Sequence, residues 1–261
     1  MKKKLVKLTS YLLIAGLFVS FTACGGSSPK TDENETDTVA TTEPETPAEP
    51  AEEWVSIFDG KTSEGWRSYG KETFPEKGWT IEDGVLHVQA TGKGEAGGGG
   101  DIITTKKYKN FELSLEWKVS EGGNSGIFYM VQEKPDQAIW KSGLEMQILD
   151  NEKHPDGKLG VDGNRRAGAL YDLIPPRPET VKPVGEWNHI KIMVYKGTVV
   201  YWMNGQNVLE FHLWTDDWKN MVAGSKFKDY ADFVNPAEEG YIGLQDHGDD
   251  VWFRNIKIRE L

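Results

Sequence analysis

The sequence is nearly without cysteine: Cys24 is the only one in 261 residues, so no disulfide closes within the chain and packing must supply the stability. It has no apolar run long enough to span a bilayer. The longest candidate, Tyr11 to Phe21, is about half the length a spanning helix needs. It has no basic stripe either. Lys and Arg number 30 against 41 Asp and Glu, net -11. Setting aside the five basic and nine acidic residues before Trp54 leaves 25 against 32, net -7. That balance argues against a nucleic-acid partner. No internal repeat and no sustained helical period are present, which argues against bundles and solenoids. The glycine-rich stretch 92–100 lacks the Lys-Ser/Thr and following helix of a phosphate loop, and reads as a flexible connection. Asn124-Ser125-Gly126 lacks the strand-to-helix setting of a nucleophile elbow, and no Ser-His-Asp arrangement is evident.

Hydrophobic residues make up 38% of the chain and aromatics 11%, enough for one domain with a real core once the N-terminus is discounted. That N-terminus has four lysines, the apolar run, and then Thr22-Ala23-Cys24-Gly25. The pattern reads as a secretory signal over 1–23 and resembles that of a bacterial lipoprotein, with Phe21 where such signals usually carry Leu. The expectation is an exported lipoprotein of the cell envelope, held to the membrane through an acyl chain on Cys24. The alternative is a plain secreted protein with a free thiol. Residues 24–53 are Gly, Ser, Thr, Pro and acid, too poor in apolar surface to offset the entropy of ordering, and predict a disordered tether.

The globular part is expected over 54–261. Asp83-Gly84, Lys196-Gly197 and Asn204-Gly205 are tight-turn signals between short alternating runs. Phe111, Leu113, Leu115, Trp117 and Val119 alternate with Glu112, Ser114, Glu116 and Lys118, which predicts a strand with one buried and one wet face. Three further strands are expected between Glu186 and Phe211, a short helix around Asp216–Ala223 in an otherwise irregular stretch, and two closing strands. Many short strands and tight turns predict an all-β sandwich of two antiparallel sheets with few short helices.

The chemistry is expected between Glu121 and Leu173. Leu144, Met146 and Ile148 share one parity, while Glu145 and Gln147 take the other, with Asp150 expected on or near that same polar face. Successive side chains of a strand point to opposite faces, so one set feeds a core and the other lines a polar, carboxylate-bearing surface. Paired carboxylates there suit acid and base roles if their surroundings separate them. The bland reading is the wet outer face of a sandwich. The following loop supplies His154, Asp156, Arg165, Arg166 and Tyr171. An Arg there would clamp a carboxylate or stabilise an oxyanion, or simply pin the loop by salt bridges. Arg165 and Arg166 are adjacent, so in extended chain only one points inward. Gln245, Asp246, His247, Asp249 and Asp250 cluster near the C-terminus. They read as a groove-lining patch, an oxygen-rich site for a divalent cation such as Ca2+, or a charged turn.

Several segments in this order resemble the 3-keto-disaccharide hydrolase family: SIFDGKTSEGWR, WTIEDGVLHV, FELSLEWKV, GGNSGIFY, GLEMQILDN, AGALYDL, GEWNHIKI, GYIGLQDHG and VWFRNIKI. The likeness covers about 54–261 and departs mainly over 213–239. It implies a concanavalin A-like jelly roll and cleavage of glycosides already oxidised to a ketone at carbon 3. The ketone acidifies the carbon 2 hydrogen; a base removes it, the aglycone leaves carbon 1 by elimination, and water adds to the product. On that resemblance Glu145 and Asp150 are expected as base and acid. His154, Arg165 or Arg166 and a divalent cation would hold the enolate. Asn124, Gln147, Tyr171, Gln245 and His247 would bind an oligosaccharide or glycoside substrate. A lectin-like module and an ordinary two-carboxylate glycoside hydrolase are the competing classes.

Overall fold

The computed structural model describes residues 53–91 and 98–261. The signal segment, Cys24 and the tether through residue 52 lie outside the described residues, as do residues 92–97 of the glycine-rich connection. No described helix is long and apolar enough to cross a membrane.

Thirteen strands alternate with turns: β1 (Val55–Ser56), β2 (Trp66–Ser68), β3 (Trp79–Glu82), β4 (Val85–Val88), β5 (Ile102–Thr104), β6 (Phe111–Val119), β7 (Asn124–Val131), β8 (Leu144–Leu149), β9 (Asn188–Tyr195), β10 (Thr198–Met203), β11 (Gln206–His212), β12 (Tyr241–Leu244) and β13 (Val251–Glu260). Two short helices, α1 (Asp216–Ala223) and α2 (Ala231–Val234), interrupt the β order. The larger sheet runs β11-β10-β9-β6-β13-β4-β3, with β1 also on β13; the smaller runs β2-β5-β12-β7-β8. All pairings are antiparallel, the two-sheet sandwich that the turn spacing predicts.

The sheets meet through their inner faces. Phe111, Leu113, Leu115 and Trp117 from β6, with Ile190 and Ile192 from β9, belong to the same buried cluster as Leu144, Met146 and Ile148 from β8. Each such side chain contributes about 1.5–3 kcal/mol of burial free energy. Tyr129 and Tyr201 meet between the sheets through their hydroxyls at 2.7 Å, which satisfies both polar tips in an otherwise apolar layer.

The outer face of the larger sheet differs from the wet surface expected of it. Glu112 and Ser114 are buried. The Glu112 carboxylate accepts from Lys191 Nζ at 2.8 Å and from Arg259, while Arg254 and Asn255 hold Glu116. Cations also cover the tryptophans: Lys191 lies 4.0 Å from the Trp202 ring and Arg254 4.0 Å from that of Trp187. Cross-strand register makes this pairing, since Arg259 sits opposite Glu112 and Arg254 opposite Glu116.

The smaller sheet's outer face is where the chain departs from a simple sandwich. The turn at 139–143, the long segment 150–177 and the α1–α2 excursion supply the residues that line a cavity on it. α1 begins with Thr215 Oγ1 accepting from Trp218 N–H at 3.1 Å, and buried Trp218 donates through Nε1 to Phe233 O at 2.9 Å. One aromatic thus ties both short helices together.

Candidate active site

Glu145 and Gln147 point away from the core because they hold the odd positions of β8. Antiparallel register with β7 places Phe128 opposite Glu145 and Gly126 opposite Gln147. Gly126 has a steric reason to lack a side chain. A Cβ there would come within 2.2 Å of Glu145 Oε1, so the carboxylate occupies the space that any other residue would fill. β12 runs on the other side of β7, and Gln245 N–H donates to Gly126 O at 3.0 Å. The polar faces of three adjacent chain segments therefore converge.

The wall beyond β8 is irregular chain that pairs with it. Gln147 N–H donates to Ala169 O at 3.0 Å, and Tyr171 N–H to Glu145 O at 3.0 Å. This docking brings Tyr171 beside Glu145. Its hydroxyl donates to Asp156 Oδ2 at 2.7 Å. Burial, and then the bond to Asp156, hold the Tyr171 phenol well above its usual range, so it stays protonated.

The resulting cavity has a volume near 230 Å³. That is small against the roughly 300–1,000 Å³ of drug-sized ligand sites and suits a single sugar ring. Its polar side carries Asn124, Glu145, Gln147, Asp156, Tyr171, Lys226, Gln245 and His247. Trp140, Phe227, Tyr230 and Phe233 line it as well and make it aromatic on another side. Phe227 and Phe233 stack at 4.1 Å, and Tyr230 meets Trp140 at 5.8 Å. Aromatic rings beside hydrogen-bonding groups are what a sugar's two chemically different surfaces require.

Three atoms stand out in this wall. Asn124 Oδ1, Gln147 Oε1 and Gln245 Oε1 are buried and accept no hydrogen bond from the described residues, and their own residues are only 4%, 1% and 7% exposed. Leaving such an acceptor unsatisfied costs about 1–3 kcal/mol. Three in one cavity form a surface that hydroxyl donors of a ligand would complete.

The structure gathers Asn124, Glu145, Gln147, Tyr171, Gln245 and His247 as expected from sequence, and corrects other placements. Asp150 does not share the hollow. It follows β8 at an even position, and its carboxylate caps the turn, accepting from Gly122 N–H at 2.8 Å, Glu152 N–H at 3.1 Å and Lys153 N–H at 3.2 Å. Burial raises its pKa, but these donors outweigh that and hold it below the usual carboxylate range. Arg166 turns outward to Glu179 at 2.9 Å and Glu152 at 3.1 Å. Arg165 is the inward one, though it reaches the cavity only through others: it binds Asp172 through Nε and Asp156 through Nη1 at 3.1 Å.

The C-terminal acids are also redistributed. Asp246 accepts from Gly99, Gly100 and Gly248 N–H, and Asp250 meets His87 Nε2 at 2.7 Å. Asp246 and Asp250 are thus tied to neighbouring backbone and to His87. What remains is a group of His154, His247 and Asp249, each with one ligand atom, all within 4.8 Å of one another. Asp249 is fixed by Asn124 N–H at 3.0 Å, and the two imidazoles meet edge to face at 5.9 Å. Burial, then the charge of His247, lowers the pKa of His154, so this ring is neutral at pH 7. Two imidazole nitrogens and one carboxylate oxygen are a donor set of the kind that borderline transition-metal dications take.

Sequence reasoning assigned no role to Lys226, Trp140, Phe227, Tyr230 or Phe233. The spacing of Phe227, Tyr230 and Phe233 was the available signal, three aromatics in seven residues of a region otherwise read as irregular.

Comparison with known proteins gives concordant results. Residues 53–259 match the model of the family described as 3-keto-alpha-glucoside-1,2-lyase-like domain. A protein of Bacteroides thetaiotaomicron named 3-keto-disaccharide hydrolase is 52% identical over 231 residues, covering 81% of this chain and 79% of that one. Two crystal structures of provisionally named glycosyl hydrolases from Parabacteroides distasonis are similar in fold. One is 33% identical, with a TM-score of 0.70 over 80% of this chain and 94% of the other; the second is 31% identical, with 0.64 over 80% and 100%.

Proposed function

Because the chain belongs to the 3-keto-alpha-glucoside-1,2-lyase-like family, we propose that it cleaves the glycosidic bond of 3-keto-disaccharides and related 3-keto-glycosides. The observation that carries this reading is the convergence of Glu145 with three unsatisfied amide oxygens in a cavity sized for one sugar ring. Those acceptors would take ring hydroxyl donors and hold the sugar with its carbon 2 hydrogen toward Glu145. The Glu145 carboxylate takes that proton and the electron pair moves onto the carbon 3 oxygen; as the enolate collapses, the carbon 1–oxygen bond breaks and the departing aglycone oxygen takes a proton from solvent. Water then adds at carbon 1 and releases one proton to solvent, replacing the one the aglycone took, while Glu145 returns its proton to carbon 2, giving net hydrolysis. Tyr171 stays neutral and, with Asp156, offers oxygens to further hydroxyls.

His154, His247 and Asp249 would hold a divalent cation of the borderline class, which would polarise a nearby sugar oxygen. His154 Nδ1 accepts from Asp156 N–H at 3.2 Å, so the Nε2 of the neutral ring carries the proton. A cation held at Nδ1 would displace the Asp156 N–H bond. Chelator treatment followed by Mn2+, Co2+ or Zn2+ reads this directly: activity lost and then regained supports the cation, and activity unaffected removes it.

The test of the main reading is incubation with a 3-keto-disaccharide and with its unoxidised parent, followed by mass spectrometry. Release of a 3-keto monosaccharide or its unsaturated form from the first substrate alone is expected. Binding without product would identify a lectin, and turnover of the parent sugar an ordinary glycoside hydrolase. Export and acylation at Cys24 remain part of the proposal, and metabolic labelling with a palmitate analogue, lost in Cys24→Ser, tests them.

A further inference from the structure

Removing a proton beside a ketone builds negative charge on the ketone oxygen, and a fixed cation within the cavity is the direct way to stabilise it. The arginines are committed elsewhere: Arg166 to Glu179 and Glu152, Arg165 to Asp172 and Asp156. Neither lines the cavity. Among the described residues, Lys226 is the one Lys or Arg that does. His154 and Asp249 of the imidazole–carboxylate group do not line it either, so a cation there would meet the cavity only on the His247 side.

The placement of Lys226 is specific. Its Nζ lies 4.2 Å from the Tyr171 ring centre and 5.1 Å from that of Phe227, a seat that fixes an ammonium by its attraction to ring faces. The nearest acid oxygen, Asp172 Oδ2, is 3.8 Å away, beyond hydrogen-bond range. Asp172 meanwhile is held by Arg165. The amine is therefore held by two ring faces in the wall of the cavity that Lys226 lines. We propose that Lys226 is a catalytic residue that donates to the carbon 3 oxygen of the keto sugar as the enolate forms. This rests on the activity proposed above. Burial lowers its pKa, and Arg165 adds to that, while Asp172, Glu145 and Asp156 pull the other way. An ammonium below the ordinary lysine range is a stronger donor toward an enolate oxygen.

The experiment follows exchange of the carbon 2 hydrogen for deuterium in D2O by NMR, together with aglycone release, on a 3-keto-glucoside. Lys226→Met should slow both by about 100-fold with KM changed less than threefold, the loss typical of one oxyanion donor. Lys226→Arg should recover part of that rate. The wild-type alkaline limb of kcat/KM should move to higher pH in Lys226→Arg, a readout that a structural role would not shift. Wild-type exchange rates in Lys226→Met, or a change confined to KM, would overturn the assignment while leaving the proposed activity intact. An inactive wild-type protein would remove both. Reductive trapping of the sugar on Lys226 by cyanoborohydride would replace the donor role with a covalent one and so overturn it.

Discussion

The outer faces of the two sheets begin from the same sequence pattern and end in opposite states. On β6, Glu112 and Glu116 alternate with core residues, as Glu145 and Gln147 do on β8. On the larger sheet each carboxylate is answered by cross-strand cations, and the tryptophans are covered by Lys and Arg. On the smaller sheet, amide oxygens are buried beside a glycine cleared for a carboxylate and have no hydrogen-bond partner among the described residues. The difference separates stabilising polar groups from ligand-directed ones. Alternation alone does not mark a site; burial without satisfaction does.

Substitutions on the two faces should therefore fail in different ways. The largest effect is expected for Glu145→Gln, which keeps shape but removes the proposed base. Turnover of a 3-keto-glucoside should fall about 1,000-fold, with a melting temperature close to wild type. Gly126→Ala comes next. The atom its methyl group meets is the flexible end of Glu145, so the fold should survive while a displaced carboxylate costs about 30-fold in kcat. Loss of both activity and folded signal in that variant would show the sheet itself cannot adapt.

On the other face, Glu112→Gln should leave kinetics unchanged and lower unfolding free energy by about 1–3 kcal/mol, because Lys191 and Arg259 lose their counter-charge in a half-buried setting. Denaturant titration measures it. Asp150→Asn should cost about 1 kcal/mol at pH 7 with activity retained. Because the folded-state pKa of Asp150 is depressed, its contribution is present above the unfolded value near 4 and is lost as pH falls through the folded one. The stability gap between wild type and Asp150→Asn should then close in acid. Smallest in stability is Gln147→Met, which removes an unsatisfied buried oxygen. It should raise stability by up to about 1 kcal/mol while raising KM, the opposite of what any residue on the larger sheet's face would do.

Much of this was legible beforehand, for identifiable reasons. The strand Leu144–Leu149 and the helix Asp216–Ala223 fall where periodicity and turn chemistry put them. Glu145 and Gln147 face the cavity because strand parity is a strict rule. The same rule spoke against Asp150, whose even number placed it out of step with them. The choice between Arg165 and Arg166 rested on loop torsions that no periodicity encodes. Lys226 was invisible for a related reason: its position depends on Trp218, Phe227 and Phe233 packing across a region without regular pattern. The wet face expected for β6 was wrong because register between distant strands, not local sequence, delivers Arg254 and Arg259 to its glutamates.

The aromatic side of the cavity has one further consequence. Phe227, Tyr230 and Phe233 all come from a single excursion between β11 and β12, and none of them is part of a sheet ladder. Such an excursion behaves as a cassette. Exchanging it wholesale between relatives should retune which leaving groups are accepted, with the sheets and the residues proposed to move the proton left unchanged.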